Sequence, residues 1–244
     1  MPDPFSRTAM LLGPANMDRL FAARVAVFGL GGVGGHCAEA LARSGVGAVD
    51  LFDHDRICLS NLNRQIIATR KTVGRYKVDV MRERILDINP DARVGAYRVF
   101  YAPETAGGID LSVYDFIADA VDTMTAKLEL VCRAAAAGVP VISSMGAANK
   151  LDASAFEAAD LYETSVCPMA RIMRRELRKR GVTALRVVYS REPAIRPPEN
   201  AGGGEAEAGR RPVPASIAFV PAAAGLILAG EIVRGLTVRS GPAL

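Results

Sequence analysis

Arg24-Val25-Ala26-Val27-Phe28, running directly into Gly29-Leu30-Gly31-Gly32-Val33-Gly34, is the stretch that decides the fold. The run Val25 to Phe28 is apolar throughout, as a strand buried on both faces must be. It enters a G-x-G-x-x-G cluster, and Ala38-Glu39-Ala40-Leu41-Ala42-Arg43 beyond it has helical composition, with Gly45 as its C-terminal stop. Ala48-Val49-Asp50-Leu51-Phe52 then reads as a second strand that ends at Asp53. Strand, tight turn, helix and strand form a βαβ unit, which lays its strands parallel.

Working outward, a helix is expected from about Lys77 to Ile88, where Asn89-Pro90 ends it. Further strands are expected at Val94 to Phe100, Tyr114 to Ala118 and Val139 to Ser143, with the Ala-rich helix Ala126 to Ala137 between the last two. Residues 1–145 are therefore read as a doubly wound, Rossmann-like α/β part with a mostly parallel sheet. Residues 146–244 are read as a C-terminal extension for substrate and dimer contacts, the whole chain being one domain. The extension has a basic helix after Pro168, a strand at Ala184 to Tyr189 and an apolar helix from Pro221 to Val233. Residues 197–214 are rich in Pro, Gly, Ala and Glu and are expected to form a mobile loop.

Composition narrows the class. Of 244 residues 50% are hydrophobic and 23% charged, which excludes a disordered or fibrous chain. A chain of this length buries roughly 70–75% of its unfolded surface and needs no covalent or metal staple. Cys37, Cys58, Cys132 and Cys167 stand singly without a C-x-x-C pair, so neither zinc nor a disulfide framework is expected, and a reducing cytoplasm is. The first thirty residues carry Asp3, Arg7, Asp18 and Arg19 and do not resemble a signal peptide. The longest apolar stretch, Ile217 to Leu228, is shorter than the roughly 20 residues of a membrane span and reads as a core helix, so no membrane is expected as a partner.

The glycine cluster lies between strand and helix, where backbone can approach a phosphate and the helix dipole favours an anion. Asp53, nineteen residues after Gly34, is placed to bond a ribose. These features alone would suit a module that binds NAD. The residues from Asp53 onward do not: Asp53-His54-Asp55, Ser60-Asn61-Leu62-Asn63-Arg64-Gln65 and Gly74-Arg75-Tyr76-Lys77 crowd polar and cationic groups onto the carboxyl edge of the sheet. A dehydrogenase needs no such cluster, whereas attack on the α-phosphate of ATP does, because charge develops as pyrophosphate leaves. Asp119-Ala120-Val121-Asp122 ends the expected fourth strand, where a carboxylate can hold Mg²⁺.

In these motifs, taken in order, the chain resembles the ubiquitin-activating-enzyme-like adenylyltransferases, with their glycine loop, D-x-D, S-N-L-x-R-Q, G-x-x-K and later D-x-x-D. The resemblance implies an ATP site made of Gly29, Gly31, Gly32, Gly34, Asp53, Asp55, Asn61, Asn63, Arg64, Gln65, Lys77 and Asp122. Within it Asp53 would take the ribose, Asn61, Arg64 and Lys77 the triphosphate, and Asp122 the magnesium. The family also uses an arginine near the N-terminus, in the pattern R-Y-x-R-Q, that reaches into the partner subunit. Phe5-Ser6-Arg7-Thr8 matches the second half of that pattern, making Arg7 the candidate, while Pro4 replaces the first arginine. Arg64, Lys77 and Arg7 would be the catalytic cations of a homodimer.

Within the family the chain is similar to the branch that dehydrates, or cyclises, threonylcarbamoyladenosine in tRNA. The similarity runs from about Phe5 to Gly235 and includes Ala38 to Gly45, Lys150-Leu151-Asp152, Val187 to Glu192 and Ser216 to Pro221. That branch implies an ATP-dependent enzyme of the adenylylating ligase type with tRNA as partner. The alternative is an adenylyltransferase that activates the C-terminus of a ubiquitin-like sulfur-carrier protein, and whether a sulfur-relay protein takes part is left open. That alternative asks whether Cys167 is a nucleophile, since a thiolate at a helix N-terminus beside arginines has a lowered pKa. We read it as a small buried hydrophobe, and Cys37 and Cys132 as core. His36, on the glycine-loop helix, and His54 are given no catalytic role.

The chain carries 30 basic and 26 acidic residues, and one segment holds the positive balance. Between Pro168 and Gly181 lie Arg171, Arg174, Arg175, Arg178, Lys179 and Arg180 against the single Glu176. Met169, Ile172, Met173 and Leu177 share one face at helical spacing, leaving the cations on the rest. We expect Arg171, Arg174, Arg175, Arg178 and Lys179 to meet the RNA backbone, each phosphate contact adding about 0.9 to the salt slope.

Overall fold

The computed structural model describes residues 3–196 and 214–237. The loop expected at 197–214 lies, apart from Pro214, outside the described residues.

Strand β1 (Arg24–Phe28) is central because four of its five residues are fully enclosed, and each of its edges carries a parallel neighbour. β2 (Ala48–Phe52) pairs with it in the register Arg24 to Ala48, and β4 (Phe116–Asp119) in the register Val25 to Phe116. With β3 (Arg93–Tyr97), β5 (Val141–Ser144), β6 (Phe156–Asp160) and β7 (Arg186–Ser190), the sheet has seven strands in the order β3-β2-β1-β4-β5-β7-β6. Only β6 runs antiparallel, against β7. The order reverses between β1 and β4, and in such sheets the crevice at the carboxyl ends of the two strands is the ligand site.

Helices cover both faces. On one, α3 (Gly34–Arg43), α4 (Lys77–Ile88) and α8 (Phe219–Thr237) bury Leu41, Met81, Leu228 and Ile232 against Val25, Val27 and Leu51. On the other, α5 (Pro103–Ala106) and α6 (Met124–Ala136) bury Ala106 and Leu130 against Phe28, Phe52 and Tyr101. α7 (Pro168–Lys179) packs Met173 and Leu177 on Val187 and Leu185. α3 ends in a Schellman motif, in which Gly45 donates to the Ala42 carbonyl and Val46 to that of Leu41. α8 is the long apolar helix read from sequence, here part of the main core.

Asp50 sits in β2, enclosed throughout, and buried charge is tolerable only when paired. Arg24 Nη2 donates to it at 2.6 Å and Tyr114 Oη at 2.9 Å. This network ties the start of β1 and the loop before β4 to the middle of β2.

The structure differs from the sequence reading in several places. β6 is an addition, because Phe-Glu-Ala-Ala-Asp lacks alternation and is rich in residues depleted in strands. α1 (Ser6–Leu12) and α2 (Pro14–Ala22) are additions too, being short and broken by Gly13-Pro14. β3 ends at Tyr97 instead of Phe100, which frees Val99 and Phe100 to form one wall of the crevice mouth.

Candidate active site

At the end of β1 the chain must turn within a few residues and pass close to β4. Gly29 takes φ 87°, and a Cβ there would lie 2.7 Å from the Ala120 carbonyl oxygen. A Cβ on Gly34 would lie 1.8 Å from the Gly29 carbonyl oxygen. Both positions therefore require glycine. Gly31, which lines the cleft, has open space where a Cβ would stand, and that space is where backbone can meet a phosphate.

The cleft beyond this turn has a volume of about 620 Å³, within the range of nucleotide-sized sites. Its floor is electrostatic. Asp53, buried at the end of β2, accepts from Leu30 N–H at 2.7 Å and from Asp55 N–H at 2.8 Å, so it clamps the glycine turn while two lone pairs stay free for a hydroxyl. Lys77, with 7% side-chain exposure, donates to Asp55 at 2.6 Å and stands 3.9 Å from Asp53. Its charge is held in place by carboxylates that a triphosphate can outbid as an acceptor. His54 lies 3.2 Å from Asp55 and edge-on to Phe100.

Arg64 donates from one nitrogen to the Ser60 carbonyl and to Asn63 Oδ1, leaving the rest of its fork available in the cleft. Asn61 Oδ1 caps Cys58 N–H at 3.0 Å. Gln65 Oε1 is buried without a hydrogen-bond partner among the described residues, in a side chain that lines the cleft. Asp122 is exposed at the entrance to α6 and lines the cleft, with Thr123 Oγ1 at 3.3 Å.

Most of the expected ATP-site residues thus converge: Gly29, Gly31, Gly32, Asp53, Asp55, Asn61, Arg64, Gln65, Lys77 and Asp122 share one cavity. Two of them, Gly34 and Asn63, do not line it, and neither does Arg7, expected among the catalytic cations. Gly34 acts through close packing beneath the turn. Asn63 faces away, holding Arg64 and donating to the Ser216 carbonyl at 3.0 Å. Arg7 lies exposed on α1, outside its own chain's cleft.

Sequence reasoning did not foresee the roles of several groups. Lys127 and Asp119 are both fully buried and paired at 2.8 Å, with Ser143 Oγ donating to the same carboxylate at 2.5 Å. Asp119 also accepts from Val121 N–H at 3.2 Å and so braces the turn that carries Asp122. Asn149, at φ 58°, gathers the chain on both sides of the undescribed segment: Ile195 donates to its carbonyl and Ala215 to its side chain. Val99, Phe100, Met145 and Pro221 complete the cleft wall.

The basic helix needs a correction. Arg174 donates from one nitrogen to the Thr164 carbonyl at 2.8 Å, to Thr164 Oγ1 and to the Leu161 carbonyl at 3.3 Å, so that nitrogen holds the preceding turn and only the rest of its fork is left for RNA. Arg175, Lys179 and Arg180 all bond Glu176, and hydrogen bonds from Arg175 first, then Arg180 and Lys179, hold its pKa down at about 2. Arg178 lies over the Tyr162 ring at 5.3 Å. Arg171 is exposed and makes no ion pair among the described residues. The four cysteines are free thiols; Cys37 and Cys167 are buried, Cys132 is half-buried and Cys58 is exposed.

The ThiF family model matches residues 5–243. The chain is 42% identical over 238 residues to the tRNA threonylcarbamoyladenosine dehydratase of Bacillus subtilis, covering 95% of this chain and 94% of that protein. A sulfur carrier protein adenylyltransferase of Thermus thermophilus is 36% identical over 142 residues, 57% of this chain and 52% of that protein. Among solved structures, the Escherichia coli tRNA N6-threonylcarbamoyladenosine dehydratase in complex with AMP superposes with a TM-score of 0.85 at 30% identity, covering 96% of this chain and 93% of that one. The same enzyme in complex with ATP gives a TM-score of 0.82.

Proposed function

The chain belongs to the ThiF family, and from that premise we propose that it is an ATP-dependent dehydratase that closes the threonylcarbamoyl side chain of a modified adenosine in tRNA into a ring. The observation that carries the reading is the gathering of Lys77 and Arg64 in one cleft with the Gly29–Val33 turn, in a chain similar along nearly its whole length to a dehydratase.

A carboxylate does not undergo substitution at neutral pH because its oxygen leaves poorly. In the first step a carboxylate oxygen attacks the α-phosphorus of ATP and the bond to pyrophosphate breaks. Lys77 and Arg64 offset the charge that accumulates on the phosphate oxygens, and Arg7 of a second subunit is proposed to join them. In the second step the carbamoyl group of the same nucleoside attacks the activated carbonyl carbon, AMP departs with the former carboxylate oxygen, and a proton leaves the carbamoyl group. The nucleoside loses the elements of one water. Ring closure within one molecule has an effective molarity on the order of 10⁵ M, so no enzyme nucleophile is needed, which agrees with a buried Cys167.

The residues present fit a magnesium ion: Asp122 offers one exposed carboxylate, and Mg²⁺ is commonly held by one or two carboxylates together with substrate phosphates. Bound there, the ion would neutralise phosphate charge. The site residues, the homodimer and a cytoplasmic location, the last suited to four free thiols, belong to the same proposal.

The test is to incubate the protein with ATP, Mg²⁺ and tRNA that carries open-chain threonylcarbamoyladenosine, then weigh the nucleosides after mild digestion. Loss of one water, dependent on ATP and abolished by Lys77→Ala, is the expected result. An unchanged nucleoside, together with exchange of pyrophosphate into ATP that requires a sulfur-carrier protein, would overturn it in favour of sulfur-carrier activation.

A further inference from the structure

At the mouth of the cleft one aromatic ring gathers two guanidinium groups. Arg56 Cζ lies 3.8 Å and Arg98 Cζ 4.3 Å from the centroid of Tyr76. Each of the three residues is the immediate chain neighbour of one that lines the cleft, namely Asp55, Val99 and Lys77. Arg56 donates to a neutral acceptor, the Gly74 carbonyl at 2.7 Å, and makes no ion pair among the described residues. Arg98 is balanced by Asp79 at 2.6 Å, and Arg75 by Glu83. The turn Thr69 to Thr72, held by the Thr72 hydroxyl on the Ile67 carbonyl, leads straight into Gly74 and presents Arg70 and Lys71 to solvent. Neither makes an ion pair among the described residues. Phe100, 47% exposed, adds an aromatic face to the same mouth.

We propose that this rim, made of Arg56, Tyr76, Arg98 and Phe100 with Arg70 and Lys71 beside it, is an RNA-contact surface that seats the unpaired nucleotides flanking the reacting one. The inference rests on the tRNA reading above. A cleft of about 620 Å³ that holds ATP and one substrate side chain leaves no room for the neighbouring nucleotides, which must lie on its rim. Unpaired bases stack on aromatic rings and guanidinium planes, and their phosphates seek Arg and Lys. The rim offers both kinds of contact. The rim borders β3, at one end of the sheet, and α7 lies over β7, five strand spacings or roughly 24 Å away. An RNA held at both surfaces has its reacting nucleotide over the cleft between them.

The experiment compares the wild-type protein with Arg70→Ala/Lys71→Ala and, separately, Arg56→Gln, which keeps a donor for Gly74 but loses the charge. Affinity for tRNA is measured between 50 and 200 mM salt, together with KM for tRNA and for ATP. The double variant should lower the slope of log K against log salt by about 1.4, at about 0.7 per single-stranded contact, and Arg56→Gln by about half of that. KM for tRNA should rise while KM for ATP and the melting temperature stay at wild-type values. An unchanged slope and KM for tRNA in an active enzyme would overturn the rim assignment alone. So would a defect that appears only when a protein partner is added. A wild-type protein that neither binds tRNA nor dehydrates its modified nucleoside would overturn the underlying reading instead.

Discussion

Replacing Lys127 by Met should be among the most damaging single changes in this chain, although Lys127 touches no ligand. Its ammonium and the Asp119 carboxylate are both fully enclosed and 2.8 Å apart. Met fills a similar volume but leaves Asp119 charged in a place water does not reach. Removing one partner of a buried pair costs about 3–5 kcal/mol. Two donors remain to Asp119, Ser143 Oγ and Val121 N–H, which places the expected loss toward the lower end of that range. For a chain of this size each kcal/mol is worth about 2–4 °C, so the melting temperature should fall by roughly 6–12 °C. Adding Asp119→Asn removes the stranded charge: its amide oxygen can accept from Val121 N–H while its amide nitrogen donates to the Ser143 hydroxyl, turned round to accept, and the double variant should recover about 2 kcal/mol or more. Urea denaturation of the wild-type, single and double variants closes the cycle. If Lys127→Met lies within about 1 kcal/mol of wild type, or if the two changes simply add, the pair is not a coupled buried unit and the reasoning fails.

Other substitutions probe the turn, the thiols, the basic helix and a buried carboxylate. Gly34→Ala should abolish nucleotide-dependent stabilisation, because its Cβ would collide with the Gly29 carbonyl; Gly31→Ala should melt normally when alone and lose most of the ~2.7 kcal/mol that ATP at 100 times its Kd confers, both read by thermal shift. Cys167→Ser should leave kcat for dehydration at the wild-type level, and a lost reaction would revive the nucleophile. Arg174→Ala should cost about 1–3 kcal/mol in denaturant titrations through its lost carbonyl contacts, whereas Arg171→Ala should leave stability alone and reduce only the salt slope of tRNA binding. Burial pushes the Glu39 carboxyl up, but hydrogen bonds from Arg84 and Arg43 outweigh it and hold the folded pKa below the ordinary 4.5. A depressed carboxylate stabilises above the unfolded value and loses that contribution as pH falls through the folded one, so stability should decline below about pH 4.5, less steeply in Glu39→Gln, as urea titrations at several pH values would report.

Legibility in the sequence followed periodicity and spacing. β1, the glycine turn and β2 were readable because an all-apolar run between turn signals has few other folds, and the motifs downstream recur at fixed offsets from Asp53. β6 was not, since an edge strand paired on one side tolerates Glu and Ala. Lys127 drew no attention in its Ala-rich helix, because nothing local reveals that its face meets Asp119, eight residues upstream at a strand end. Helical spacing likewise gave the polar face of α7 but not the carbonyls that Arg174 satisfies, which belong to a turn ten residues earlier. Arg7 is legible only as a motif, and α1, on which it lies exposed, carries no periodic signal.

The contact between the Gly29 backbone and Ala120 has a consequence for how nucleotide is received. No side chain separates the two segments, Gly29 is bonded to Phe52 and Ala120 to Phe28, and Asp53 ties down Leu30 from the other side. The turn that meets phosphate and the turn that carries Asp122 therefore move as one body with the centre of the sheet. A ligand arriving there finds its seat already assembled, and the free energy of its contacts is retained as affinity instead of being consumed in ordering two loops.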